Sequence, residues 1–369
     1  MARNRVIYQS EALYVSSGIS STTSGQHAQL ERVQSANYNF SINRQDINQY
    51  GQLARIDSIV LEPPTVGLDF TYYLTDGFNE RALGFYVQTT TNTAQGNFPS
   101  GHMQNQSGQN FYITTVAEGL DATGVTSLSS AIGVGNAFLS NYSLELAVGS
   151  LPTVSVSMEA SNINSDTGFA TISGGISGFA SPAINPTDGV SLGLTGFLKP
   201  ANTGASLISA LRPGDITIDI SAFDGTGISD LATSSDAIHI QSASLAIPLS
   251  RTALQRLGTK FAYARAVDFP VKATLSVSAI LNEVVATDLS NIINDPSRKS
   301  ITLTLKGPDG TTNRMIWTLK GCTLDSESFS SSIGSNKSVE LSFSTQIGGP
   351  NDSVNGVFLS GSNTTAVFS

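Results

Sequence analysis

Apolar and polar residues alternate along two stretches of the chain, residues 33–51 and 240–258. In both stretches apolar side chains stand at every second position, and they keep the same phase when the sequence is shifted by 207 residues, from residue 36 to residue 243. These positions are Ala36, Tyr38, Phe40 and Ile42 in the first stretch and Ala243, Leu245, Ile247 and Leu249 in the second. Alternation is typical of a strand with one buried face. The pattern therefore predicts a half-buried β-strand in each copy.

The repeat extends beyond these strands. Under the same shift, Gln34, Ser35, Ala36, Arg44, Gly51, Val60 and Pro63 match Gln241, Ser242, Ala243, Arg251, Gly258, Val267 and Pro270. A hairpin at 138–160 also recurs at 319–345, with a shift of 185 residues from Val154 to Val339. Self-similarity at a fixed offset is the mark of a duplication. The smaller second offset places most of the missing length in the polar loop 89–110 of the first copy.

The periodicity predicts a mainly β fold with two tandem domains, each a β-sandwich or small open barrel with one or two short flanking helices. Helices are predicted at 251–257, between Ser250 and Gly258 as caps, at 287–296, and at 126–132. The predicted domains are 1–160 and 205–349. An irregular Gly/Ser/Pro-rich connection, 161–204, either without regular structure or with a short hairpin of its own, joins them, and a C-terminal tail occupies 350–369.

Composition narrows the classes of function. Only 13% of residues are charged and 40% are hydrophobic, which suits short strands joined by turns. A net charge of −9 without a dense cluster of Lys and Arg argues against tight nucleic-acid binding. No apolar run is long enough for a membrane-spanning helix, and no secretory signal is visible, so we expect no membrane insertion and synthesis in a cytoplasm. A single cysteine, Cys322, excludes an internal disulfide framework.

The residue types that carry chemistry do not form a recognisable constellation. His27, His102 and His239 are far apart and have no metal-ligand spacing, and Cys322 is expected to be a buried, inert thiol. The remaining candidates are Asp215, Asp219, Asp224 and Asp230, expected in solvated turns and at strand edges, the stretch GVGN at 133–136, expected in a flexible turn, and the sequons at Asn105, Asn141, Asn336 and Asn363, which arise by chance in a chain rich in Asn and Ser. Trp317 is expected to anchor the second core. We therefore predict no enzyme activity, no catalytic, cofactor-binding or metal-binding residue and no cofactor.

The recurring segments resemble the tail tube (major tail) proteins of long-tailed bacteriophages. In the closing hairpin the resemblance is carried by Leu139, Tyr142, Ser143, Val148, Gly149, Pro152, Val154 and Val156. In the strand–loop–strand segments it is carried by Arg44, Gly51 and Pro63 and, in the second copy, by Arg251, Gly258, Arg265 and Pro270. It covers most of 30–160 and 238–349. The second hairpin departs from the pattern, because it is longer and lacks the Tyr-Ser pair and the proline.

The resemblance implies a structural virion protein of the tail, assembled in the host cytoplasm. Six such domains form a ring in that family, so two tail-tube-like domains per chain imply a homotrimer with pseudo-sixfold symmetry, stacked into a tube for DNA passage. The implied partners are further copies of the chain, tape measure, tail terminator and baseplate or tip proteins, and a sheath in a contractile tail. The polar region 76–110 is expected to become ordered only against a neighbouring ring.

Two other classes of function fit parts of the sequence. A surface adhesin or carbohydrate-binding β-sandwich would share the Ser, Thr and Gly richness. A β-helical polysaccharide-degrading enzyme would need short repeats along the whole chain and paired carboxylates, and the sequence has one long-period duplication instead. Within the phage proteins, a neck or tube-capping relative remains an alternative to the tube subunit.

Overall fold

The structure is a computed structural model that describes residues 11–18, 27–61, 64–89, 96–104, 108–116, 118, 120, 122, 130–167, 170–172, 175–191, 194–197, 210–212, 214, 216–219, 238–281, 298–330, 338–363 and 367. The fold is mainly β, as predicted, with large antiparallel sheets and two short helices in the described residues. None of the helices in these ranges is long and apolar enough to cross a membrane.

The first half of the chain contains strands β1 to β11 and both helices, and the second half contains β15 to β23, with three strands between them. In chain order the elements are β1 (Glu11–Ser16), β2 (His27–Gln29), β3 (Val33–Ser41), β4 (Arg44–Ile47), β5 (Asp57–Val60), β6 (Thr65–Tyr73), α1 (Phe78–Ala82), β7 (Val87–Thr89), α2 (Ser100–Gln104), β8 (Gln109–Thr115), β9 (Ser130–Ala147), β10 (Thr153–Ala160), β11 (Asn162–Thr167), β12 (Ala170–Ile172), β13 (Gly175–Ala180), β14 (Leu194–Phe197), β15 (Ile216–Asp219), β16 (Ile238–Pro248), β17 (Arg251–Leu254), β18 (Ala264–Val267), β19 (Lys272–Leu281), β20 (Lys299–Lys306), β21 (Asn313–Ser330), β22 (Ser338–Gln346) and β23 (Gly356–Gly361).

The two halves have the same strand topology. In the first half, β3 pairs with β6, β6 with β10 and β10 with β9, and in the second half β16, β19, β22 and β21 pair in that same order. The other end of the long strand β9 pairs with β8 and β11, as the other end of β21 pairs with β20 and β23. β9 and β21 thus pass from one sheet of their half into the other.

The equivalence holds at the level of single residues. Each closing hairpin carries a register shift at the same place, between Ser157 and Met158 in the first half and between Leu324 and Ser326, opposite Ser342 and Phe343, in the second. Residues 74–108 separate β6 from β8, whereas only 282–298 separate β19 from β20. The extra length of the first copy therefore lies mainly in the region that the sequence predicted.

Three local predictions are wrong. Residues 251–254 form the strand β17 rather than a helix, because Arg251 to Leu254 pair with β18 and Gly258 closes a turn. Gly133–Asn136 lie inside β9 rather than in a flexible turn, and Gly135 is required there because an added Cβ would meet the carbonyl oxygen of Pro182 at 2.0 Å. Of the predicted helix 126–132, residues 130–132 belong to β9, and the rest lies outside the described residues, as does 287–296.

The connection and the tail contain more structure than the sequence indicated. β11 extends the first half beyond residue 160 by pairing with β9, and β12, β13 and β14 form a small sheet of their own. β23 lies in the predicted C-terminal tail and pairs with β21 on one side and, in parallel, with β7 on the other. Val357 and Leu359 of β23 are buried in the main core, so this segment is part of the second half.

The described part of the region 76–110 is packed inside the chain rather than waiting for a neighbouring ring. Phe85 and Phe98 stack at 4.0 Å between ring centroids, and Phe98 also contacts Trp317 at 4.8 Å. Backbone and side-chain hydrogen bonds join this region to the second half, including one from the Phe98 amide to the Val357 carbonyl at 2.7 Å. Trp317 is fully buried between Phe98 and Tyr142 of the first half. It therefore anchors a core shared by both halves, not the second core alone.

Candidate functional site: the internal joint and the open edges

One continuous sheet joins the two halves. Its strands follow the order β21, β22, β19, β16, β9, β10, β6, β3, and the halves meet where β16 pairs antiparallel with β9. In this pairing, hereafter the internal joint, Leu245 lies opposite Leu144 and Ile247 opposite Tyr142. Leu245 is 1% exposed and Ile247 is 0% exposed. The joint thus pairs the backbone groups of both edges and buries the apolar face of β16.

Two arginines secure the internal joint next to the strands. Arg251 begins β17, and its guanidinium lies 5.0 Å from the ring centroid of Phe138 while Nη2 donates to the His102 carbonyl at 2.6 Å. Arg265 of β18 pairs with the carboxylate of Glu159, and its guanidinium lies 5.9 Å from the same ring. Bonds from a charged donor in a half-buried place are among the stronger side-chain contacts. The β17–β18 hairpin of the second half therefore clamps onto the first.

The outer edge of the first half carries the equivalent strand, β3, and no described strand lies along its free side. β3 occupies the position of β16, and among the described residues it pairs only with β6. Tyr38 and Phe40, at the positions of Leu245 and Ile247, are 44% and 58% exposed. The sequence predicted a half-buried strand here. The strand is present, but its apolar face is largely open because no described strand lies beside β3 where β9 lies beside β16.

The hairpin β4–β5 continues this open surface. Arg44 pairs with Val60 as Arg251 pairs with Val267, so the two hairpins share one register. All residues from 37 to 57 are exposed, including Ile47 and Ile56. An exposed strand edge with contiguous apolar side chains is a typical protein–protein contact surface. This open edge, β3 with β4–β5, is the first candidate interface.

The hairpin tips are built alike in both halves. Gly51 and Gly258 each have φ 88°, and the turns are closed by hydrogen bonds from Gln52 to Gln49 and from Thr259 to Arg256. Positive φ at the third residue of the turn is the type II geometry that favours glycine. The residue before each glycine, Tyr50 or Leu257, is fully exposed. Each half therefore presents one apolar side chain at the end of a hairpin.

The opposite edge of the sheet is the second candidate interface. Residues Thr323–Ser330 of β21 pair with β22 and, in the described part of the chain, with no strand on the other side. Within this range, Ser326–Ser330 correspond to Asn141–Glu145 of β9, which pair with β16. A cleft of about 470 Å³ lies beside them, and Thr323, Ser344 and Asp352 are among its lining residues. In the described part of the chain, the sheet that joins the two halves thus has one open edge at β3 and another at β21.

The face of this sheet that points away from the core is polar, and most of its charged side chains are acidic. It carries Ser, Thr and Asn side chains between the buried positions of β6, β9, β10, β16, β19 and β22. Its carboxylates in the described part of these strands are Asp69, Glu145, Glu159 and Glu340, and its basic residue is Lys272 at the start of β19. Lys272 donates to Asp325 at 2.8 Å, which compensates its charge. The face therefore carries a net negative charge.

A buried carboxylate that the sequence did not single out lies beside the internal joint. Glu80 of α1 is 1% exposed, and its Oε1 accepts hydrogen bonds from the hydroxyls of Tyr72 at 2.8 Å and Tyr142 at 3.2 Å. Burial raises the pKa of Glu80 to about 7, although both tyrosine hydrogen bonds lower it. Two buried tyrosine hydroxyls hold this carboxyl between α1 and the sheet, which are the surroundings of a structural carboxyl.

The sequence candidates for chemistry are not brought together. His27 and His102 are buried, and burial lowers the pKa of His102 to about 3. Cys322 is buried, as predicted, and burial raises the pKa of its thiol to about 12. Asp219 lies in β15, Asn141 in β9, and the Asn363 amide donates to Asp76. The side chain of His239 and the residues Asp215, Asp224, Asp230, Asn105 and Asn336 lie outside the described residues.

Within the described ranges, no group of three or more His, Cys, Asp or Glu residues could hold a metal ion. The residues that matter at the joint are instead Arg251, Arg265, Phe138 and Glu159. Sequence reasoning noted the identity of Arg251 with Arg44 but assigned it no contact. The identity of two charged residues at one repeat position was the signal that could have identified the clamp.

Comparison with known proteins gives little guidance. No family model matches the chain, and no curated protein matches it. Among solved structures, the chain is similar to a chain described as "Virion of native gene transfer agent (GTA) particle", with 15% identity and a TM-score of 0.23. The similarity covers 38% of this chain and 95% of that chain. With so low a TM-score, this likeness carries no conclusion about function.

Proposed function

We propose that the chain is a structural virion protein, a tail tube subunit whose copies close into a ring of three chains and stack into a tube for DNA. The observation that carries this proposal is the internal joint, where two halves of equal topology share one sheet while equivalent edges remain open at β3 and β21. Such a chain is a head-to-tail building block, and head-to-tail contacts that close give rings.

The number of chains in the proposed ring follows from the resemblance to tail tube proteins together with the duplication. If a ring holds six equivalent halves, three chains supply three internal joints and three joints between chains. Each joint would pair two strand edges that are otherwise open to solvent. Burial of Tyr38 and Phe40 at each contact would add the apolar contribution that Leu245 and Ile247 make inside the chain.

The polar face of the sheet supports a channel for DNA. A ring closed through β3 and β21 would turn one face of the sheet toward the core of each half and the other toward the lumen. The latter carries Asp69, Glu145 and Glu340 among small polar side chains. Carboxylates repel phosphate, and salt screens this repulsion beyond about 8 Å, so the wall would offer DNA no attachment point.

Axial stacking is the second element of the proposal. The two hairpins of each chain project from the ends of the strand pairs β3–β6 and β16–β19, and each tip exposes an apolar residue, Tyr50 or Leu257. In a ring of three chains these tips would form six equivalent contacts. They are the residues through which we expect one ring to hold the next.

Negative-stain microscopy of the purified chain, concentrated stepwise, tests the proposal. We expect rings and then tubes, and mass photometry of the ring peak should give three times the chain mass of 38.6 kDa. The variant Tyr50→Ser with Leu257→Ser should keep the rings and lose the tubes, whereas the exposed Val190→Ser is a matched control that should change neither. A chain that stays monomeric at high concentration would sink the proposal.

A further inference from the structure

The internal joint provides a residue-by-residue template for a contact between two copies of the chain. Shifting β16 back by the repeat offset gives β3, and shifting the joint part of β9 forward by the hairpin offset gives the open part of β21. The strand pairings support both shifts. Ala36 lies opposite Phe70 as Ala243 lies opposite Val277, and Val156 lies opposite Tyr142 as Leu341 lies opposite Glu327. The pairs from Ser244–Glu145 to Pro248–Asn141 of the internal joint therefore have counterparts among the described residues of the two open edges.

We propose, building on the function proposed above, that β3 of one copy pairs antiparallel with the open edge of β21 in a second copy, through Ser326–Ser330 of the described residues, in the register of the internal joint. Ala246 lies opposite Ser143 in that joint, so Asn39 lies opposite Ser328 of the second copy. Likewise, Ile247 opposite Tyr142 places Phe40 opposite Glu327. The occupant of the open edge is thus a second copy of this chain.

The cleft beside β21 is the receiving site for the base of the β4–β5 hairpin. Phe138 and Glu159, which contact the clamp arginines, face each other across β9 and β10, and their counterparts Thr323 and Ser344 face each other across β21 and β22. Both counterparts line the cleft. Small side chains thus stand where the first half has a phenyl ring and a carboxylate, which opens the space. Arg44, at the position of Arg251, enters this cleft.

Two basic residues and one carboxylate line the cleft, and each basic residue is already held by a neighbouring side chain. Lys272 pairs with Asp325 at 2.8 Å, and Arg298 donates to Asn355 at 2.8 Å. The Asp352 carboxylate lines the cleft, and hydrogen bonds from the amides of Val354 and Asn355 lower its pKa, so it stays ionised. Arg265 has the counterpart Ser58, which removes the ion pair with Glu159 from this second joint. The joint between copies is therefore weaker than the internal one.

Cysteine cross-linking tests the register. Chains carrying Asn39→Cys are mixed with chains carrying Ser328→Cys, concentrated and oxidised, and a disulfide-linked dimer is expected because facing Cα atoms of an antiparallel pair lie within disulfide range. The matched control replaces Ser328→Cys by Glu327→Cys, whose side chain points to the other face of the sheet. It should give no dimer, and neither should any single variant alone, because Cys322 is buried.

Arg44 is tested against its internal counterpart. Arg44→Ala should leave the melting temperature of the dilute chain unchanged and reduce the rate of the Asn39–Ser328 cross-link roughly tenfold, as expected for loss of one charged hydrogen bond. Arg251→Ala should instead lower the melting temperature of the chain itself. An Arg44→Ala variant that melts early, or that cross-links at the unchanged rate, would overturn the role given to Arg44.

The outcomes separate this register from the function on which it builds. Rings in the microscope together with a cross-link at Glu327 instead of Ser328 would overturn the register and leave the tube intact. The Asn39–Ser328 cross-link without closed rings would support the joint and refute the ring. Oxidation of the double variant Asn39→Cys with Ser328→Cys should give covalent trimers as the largest product. A series of longer cross-linked products would refute the closure of the ring but not the register of the joint.

Discussion

The repeat allows one substitution to be made twice, once in the internal joint and once on the open edge. Ile247 and Phe40 occupy equivalent positions, and Ile247 is 0% exposed whereas Phe40 is 58% exposed. Truncating a fully buried isoleucine to alanine costs about 2–5 kcal/mol, because apolar contacts are lost and a cavity remains. Truncating Phe40 removes contacts on less than half of the side chain, so the dilute chain should lose about 1 kcal/mol or less.

For association between copies the order is reversed, and Phe40→Ala should have a larger effect than Ile247→Ala. Covering the exposed part of Phe40 at a joint between copies contributes about 1–2 kcal/mol, by the proportion of a fully buried aromatic side chain. Phe40→Ala should therefore weaken each such joint roughly 5- to 30-fold. Ile247→Ala should destabilise folding and change the association of the folded chain little, since its site is already covered by β9.

Two measurements on the same samples test the opposite effects of Phe40→Ala and Ile247→Ala. Urea denaturation of the dilute chain gives the free energy of unfolding, and sedimentation velocity over a concentration series gives the association midpoint. Val190→Ala, also exposed but outside both candidate interfaces, serves as a control for general loss of surface hydrophobicity. The reasoning is refuted if Phe40→Ala destabilises the dilute chain as much as Ile247→Ala, or if it associates like the unchanged protein.

Three further predictions concern the stability of the chain. Burial raises the pKa of Glu80 from 4.5 to about 7, so its contribution to the free energy of unfolding is largest below pH 4.5 and is lost as the pH rises to about 7. In urea denaturation from pH 5 to pH 8, Glu80→Gln should therefore show a smaller decline in the free energy of unfolding than the unchanged protein. Gly51→Ala and Gly258→Ala should each cost about 1 kcal/mol in thermal melts, since φ is 88° and nothing surrounds the added Cβ. Trp317→Ala should cost about 3–5 kcal/mol, and calorimetry should show a single transition because Trp317 packs against both halves.

The sequence predicted the strands of the repeat well, because alternation is a local property. The positions of β3, β16, β6 and β19 and the recurring hairpin agree with it, and so does the extra length between β6 and β8. The burial of β3 was not predictable in this way. Tyr38 and Leu245 follow one pattern, yet one is exposed and the other covered, because coverage depends on which strand lies alongside.

The errors share a physical cause, which is that local signals were outweighed by contacts distant in sequence. Ser250 and Gly258 resemble helix caps, but Arg251 gains more from pairing with β18 and from clamping Phe138 than from a short helix. Asn97 and Phe98 lie in a polar, glycine-containing segment typical of a loop, but they are buried against the second half. The clamp itself joins residues more than a hundred positions apart, and no periodicity indicates such a pairing.

The internal joint limits the number of repeat copies that the proposed ring could contain. Subunits that each carry a single copy could close by mistake with five or seven members, since one surplus or missing unit changes each contact angle only slightly. In a ring closed as proposed above, two copies held in one polypeptide through β16 and β9 would always enter together. An odd number of copies would then be excluded, and the nearest wrong ring would differ by two copies, which changes each contact angle more than a difference of one.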